Sequence, residues 1–165
     1  MRPAALFPVG ACLFAAIGVW NGTADDPVAV LRLAVCGAAL AFLAMTDLRE
    51  HRIPNRVVLP AAALCAALAG RTTLDNSLPA LGIVAALFLV ALLRPAVLGM
   101  GDIEEALLIA LALGAAATSA LVFGLVLAAL AGVALILRRG RAALGIALPL
   151  GPFLALGATV ALALT

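Results

Sequence analysis

Apolar residues fall in seven runs, at 4–20, 28–46, 57–70, 78–93, 103–117, 119–137 and 143–164, separated by short polar or Gly/Pro-containing breaks. Most of these runs approach the roughly 20 residues that carry a helix across about 30 Å of hydrocarbon. The pattern therefore predicts an all-α fold, a polytopic transmembrane helix bundle of six to seven spans. The runs at 57–70 and 103–117 are short for that thickness, and the first leaves a full crossing open. No polar stretch is long enough to form a soluble domain, so residues 1–165 read as a single membrane-embedded domain.

Composition sharpens this reading. The 165 residues are 67% hydrophobic, with a mean hydropathy of +1.29, against about 45–50% apolar residues in a soluble domain. A water-soluble globule is excluded. The ten basic residues are all arginine, and a net charge of +2 is too small for the dense cationic face that nucleic-acid binding needs. Cys12, Cys36 and Cys65 lie singly in apolar stretches, which suits small buried residues rather than disulfides or a zinc site. His51, the one histidine, lies in a charged loop; no metal or cofactor is expected.

The arginines set the orientation. If the first run is a retained anchor with its amino end in the cytoplasm, then Arg2, Arg49, Arg52, Arg56, Arg94, Arg138, Arg139 and Arg141 lie inside, and the acidic loop with Asp25 and Asp26 lies outside. This follows the positive-inside rule and predicts a multi-pass membrane protein.

Candidate chemistry is confined to a few acids. Asp47 closes the second run and Asp102 opens the fifth, after Leu98-Gly99-Met100-Gly101. Two runs lie between them, so if both cross, the two carboxylates return to the same face. Paired carboxyl groups at the lip of a membrane bundle suit water-activating acid/base chemistry, because close like charges leave one group ionised and the other protonated. Simpler roles compete: Asp102 with Glu105 has the spacing of a helix N-cap, and Asp47 could pair with Arg49 or Arg52. Gly99 and Gly101 suit positive φ or a close backbone approach. Arg52-Ile53-Pro54-Asn55 reads as a turn that starts the next segment. Asp102 at a helix N-terminus is expected to be the ionised base, and Asp47 at a helix C-terminus to hold the proton.

The aspartate closing a span with Ile53-Pro54-Asn55 soon after, Gly99-Met100-Gly101-Asp102 opening a later span, and the Pro149-Leu150-Gly151-Pro152 stretch in the last together resemble the type IV prepilin peptidases, which are GxGD membrane aspartic proteases. The resemblance is strongest over 40–157. It implies an aspartic endopeptidase, with Asp47 and Asp102 as its catalytic pair and no cofactor. Its partners would be the lipid bilayer and prepilin or pseudopilin precursors, whose short basic leader it would remove at the cytoplasmic face. The length resembles the compact members, including those serving tight-adherence (Flp-type) pili, without the N-terminal region associated with N-methylation. Where many members have a lysine two residues after the motif aspartate, this chain has Glu104, followed by Glu105. Acids such as Glu50, Glu104 and Glu105 would attract a basic leader. Two other readings stand beside this one: a small ion- or proton-coupled transporter subunit, and an inactive partner in pilus assembly.

Overall fold

The computed structural model describes residues 6–23, 25–95, 98–140, 142 and 148–165. Arg2 and Arg141, two of the arginines assigned to the inner side, lie outside these residues, as do the first residues of the 4–20 and 143–164 runs. Every apolar run contributes a helix. In chain order these are α1 (Leu6–Gly18), α2 (Pro27–Glu50), α3 (Asn55–Leu68), α4 (Arg71–Leu93), α5 (Met100–Leu113), α6 (Ala117–Arg139) and α7 (Gly151–Leu164). Among the described residues there is no strand.

Local chemistry fixes the helix ends. Asp26, expected to be a solvated loop residue, caps α2: its carboxylate accepts from the Val28 and Ala29 N–H groups at 3.0 Å, and Pro27 supplies a preset φ at the first helical position. At the other end α2 runs past residue 46 to Glu50. His51, in the left-handed region at φ 49°, donates its N–H to the Asp47 carbonyl at 2.9 Å. Asp47 thus lies one turn inside the helix rather than at its close. Residues 100–139 form a 40-residue apolar stretch, about 60 Å if straight and twice the hydrocarbon thickness. Gly114, at φ 57° and ψ −118°, divides it into α5 and α6.

Two length classes result. Helices α2, α4 and α6 have 24, 23 and 23 residues, whereas α3, α5 and α7 have 14 each. Four helical stretches are long and apolar enough to cross a membrane, with 55–68 and 151–164 as shorter apolar helices. The protein is a multi-pass membrane protein built as an all-α bundle.

Helix α5 occupies the middle, touching α2, α3, α4, α6 and α7. Its Ala106, Leu108, Ile109, Ala110 and Ala112 are completely buried. Around it the helices approach through glycine. Gly10 of α1 lies on the backbone of Gly37 in α2, and Gly157 of α7 lies on that of Gly124 in α6, with no room for a Cβ at any of the four. In lipid, where burying apolar surface gives little drive for association, such contacts supply the dispersion energy that holds helices together. Arg32, hidden in the second apolar run, ties three helices: its Nε donates to the Ala112 carbonyl of α5 at 2.9 Å and its guanidinium to Thr73 Oγ1 of α4 at 3.0 Å. It thereby satisfies a carbonyl that the end of α5 leaves without a helical partner. Cys36 and Cys65 are buried as expected, but Cys12 is exposed on α1.

Gly132 of α6 faces open space and serves as a control for the α6–α7 contact. Gly157→Ala drives a Cβ into the Gly124 backbone and is expected to cost about 1–3 kcal/mol. Gly132→Ala is expected to be neutral or to stabilise by up to about 1 kcal/mol through helix propensity. Thermal unfolding of both variants in the same lipid or detergent checks the pair; equal effects would mean that the α6–α7 contact is not close.

Candidate active site

Three helix beginnings meet the C-terminal end of α2. The first is Asn55 of α3, reached through Ile53 and Pro54. The second is Met100 to Asp102 of α5, and the third is Gly151 of α7. Together with the end of α2, the first two enclose a cleft of about 580 Å³, whose walls include Thr46, Asp47, Ile53, Asn55, Gly99, Gly101 and Asp102. Asp47 and Asp102, 55 positions apart in the sequence, therefore share one cavity, and their charges act on one another across it.

Asp47 is 5% exposed and makes no local ring with its own loop. Its Oδ2 accepts the Gly151 N–H at 2.9 Å. That N–H is one of the donors the first turn of α7 cannot use internally, and the helix dipole adds positive potential there. The Asp47 carboxylate thus sits at the N-terminus of another helix, an influence opposite in sign to that of the C-terminus of its own helix, on which the expectation that it holds the proton rests. Pro152, next in α7, requires no donor partner of its own and suits the first turn.

Asp102 is half-buried. It occupies the third position of α5 and not the N-cap; Gly99 is the cap, and the Asp102 carboxylate accepts the Gly99 N–H at 3.2 Å. The two motif glycines work by space rather than by dihedral angle. Gly99 has an ordinary extended φ of −75°. Gly101 is the point where α5 meets Ile53, since a Cβ there would stand 2.7 Å from the Ile53 Cβ. Asn55 completes the junction by donating from Nδ2 to Glu104 Oε1 at 3.1 Å. The Ile53-Pro54-Asn55 element is thus a docking piece for the start of α5, more than a turn.

Not every expected site residue converges. Met100 is 52% exposed and lies outside the cleft lining, and Pro149 is half-buried before α7. Pro152 lines a separate apolar groove with α1 and α2. Glu105, expected to be a surface acid attracting a basic leader, is 0% exposed, and Glu104 is engaged by Asn55. Glu50 lines the cleft, as do His51, Arg52 and Arg56, so its mouth carries both signs of charge. Among the described residues no group of three His, Cys, Asp or Glu side chains is arranged to hold a metal ion. The residue that sequence reasoning undervalued is Glu105. Its signal was a carboxylate placed inside an apolar run.

Fold and site together define a polytopic membrane protein with two carboxyl groups in one cleft. The family model of the type IV leader peptidase family matches residues 34–137, and the chain belongs to that family. No curated protein and no solved structure matches the chain. The matched span includes α3, α4 and both aspartates, and family membership makes the protein a peptidase of the leader-peptidase kind.

Gly101→Ala is expected to destabilise the protein by about 1–3 kcal/mol through the clash with Ile53. Ile53→Ala in the same chain is expected to recover part of that loss, giving a coupling of about 0.5 kcal/mol or more. Strictly additive effects in thermal unfolding would separate the two residues.

Proposed function

We propose that the protein is an aspartic endopeptidase that removes the basic leader from type IV prepilin or pseudopilin precursors, including Flp-like ones, at the cytoplasmic face of the inner membrane. The observation that carries this reading is the meeting of Asp47 and Asp102 in one cleft in a chain of the leader-peptidase family. The placement of both acids at helix ends, away from the middle of a span, favours it over a transport site, for which broken helices at the bilayer midplane are the usual frame.

In this mechanism Asp47 is the ionised member. Its charge faces the Gly151 N–H and the N-terminus of α7, both of which favour an anion. Asp102 carries the shared proton and directs it to the scissile carbonyl oxygen. Asp47 takes a proton from water as the water oxygen bonds to the carbonyl carbon; as the C–N bond breaks, that proton passes to the leaving nitrogen and the hydroxyl formed from the carbonyl oxygen returns its proton to Asp102. The acids titrate as a pair, so the pH dependence of cleavage reports the pair and not either residue alone. Glu104, which stands where many relatives have lysine, is held by Asn55 outside the cleft lining, which supports a competent site.

Purified protein in lipid, incubated with a candidate precursor and followed by mass, tests the assignment. Asp47→Asn and Asp102→Asn are each expected to lower the cleavage rate by roughly 10²–10⁴-fold or more while leaving abundance and thermal stability near wild type. Cleavage at the wild-type rate by either variant would remove that residue from the mechanism.

A further inference from the structure

Glu105 stands apart from every other acid in the chain. It is 0% exposed, and among the described residues neither carboxyl oxygen has a hydrogen-bond partner. It lies one turn along α5 from Asp102, and its Oε2 is 2.8 Å from the point where a Gly151 Cβ would stand. Asp47 Oδ2 is 3.1 Å from that same point. Only the absence of a side chain at Gly151 lets the two carboxyl groups share this space. The titratable groups that act on Glu105 are Asp102 on its own helix and Asp47 on α2, with the Cys36 thiol of α2 also within its field. Gly151 of α7 brings a backbone amide and no charge.

Among the described residues no cation answers Glu105, and a bare carboxylate closed off from water is among the most costly groups to bury. A carboxylic acid is different, because it has one proton to donate. Across the space left by the missing Gly151 side chain stands an acceptor, Asp47, already held by one N–H. We propose that Glu105 is a third acid of the site, a positioning residue that holds its proton toward Asp47 and so keeps Asp47 the ionised member of the pair. Asp47 would then have two donors, the Gly151 amide and the Glu105 acid, fixing both its orientation and its charge. The role is that of an outer donor to a catalytic carboxylate, supplied by a protonated glutamate. It rests on the peptidase reading above, with Glu105 acting through Asp47 and never meeting the peptide.

Two substitutions separate this role from its rivals. Glu105→Leu fills similar space without a donor, whereas Glu105→Gln keeps an N–H donor that cannot titrate. In the pH profile of kcat/KM, Glu105→Leu is expected to move the acid limb upward by about one pH unit, because an Asp47 carboxylate without its second donor is protonated more readily. Glu105→Gln is expected to lower kcat/KM but leave that limb in place. If Glu105 were instead ionised, both substitutions would remove a negative neighbour and move the limb downward; if it only filled space, neither would move it. Either result overturns the proposal. An independent readout does not need cleavage: infrared difference spectra of the reconstituted protein at neutral pH should contain the carbonyl stretch of a protonated carboxyl that Glu105→Gln removes. A spectrum unchanged by Glu105→Gln would overturn the proposal even with an active enzyme. A wild type that cleaves no precursor while retaining the Glu105 band would count against the peptidase reading alone.

Discussion

A carboxylate taken out of water inside a membrane bundle must find its donors within the protein. Asp47 finds one in the Gly151 N–H, and much of the architecture follows from delivering that amide. The last helix must begin beside the end of the second, with a residue that has no side chain, and with its first-turn donors free. Leu150-Gly151-Pro152 meets these demands in three residues: a cap, an unobstructed N–H, and a proline that needs no donor partner. The α6–α7 contact through Gly124 and Gly157 then holds α7 at the required height. Stability and site geometry therefore depend on the same pair of helices.

The three 14-residue helices all start at the site, where the last turns of α2 meet them. Each short helix brings the positive end of its dipole, roughly half a charge, to the acids. Two of these ends act through a specific amide: the Gly151 N–H on Asp47 and the Gly99 N–H on Asp102. This bears on Glu104: the start of α5 is bordered by Asn55 at the beginning of α3, with Arg52 and Arg56 on the walls of the same cleft. Glu104 is tolerable because Asn55 takes one of its oxygens.

Much of this was legible in the sequence. The seven apolar runs each became a helix, because in lipid the backbone must satisfy itself within each segment and few folds allow that. The meeting of Asp47 and Asp102 is expected if both intervening runs cross, and the two acids do share one cleft. Less legible were the roles that depend on distance between helices. Gly101 reads as a flexible residue, yet it is a contact surface for Ile53. Gly151 reads as one glycine among fifteen, yet it joins Asp47 to Glu105. Arg32 and Glu105 both interrupt apolar runs, and a hydropathy pattern averages such residues away, although a charge inside a span is the most costly residue there.

Arg32 also fixes the height at which the acids stand. By tying α2, α4 and α5 near one end, it sets a common level for Thr73 and Ala112. From that level α4 descends twenty residues to Leu93, about 30 Å, whereas α5 has only ten residues from Ala112 back to Asp102, about 15 Å. Asp102 is thus set back from the foot of α4 by about 15 Å along the bundle. The polar walls of the cleft, from Glu50 and His51 inward to Thr46, are then the route by which a hydrolytic reaction in this protein would be supplied with its second reactant.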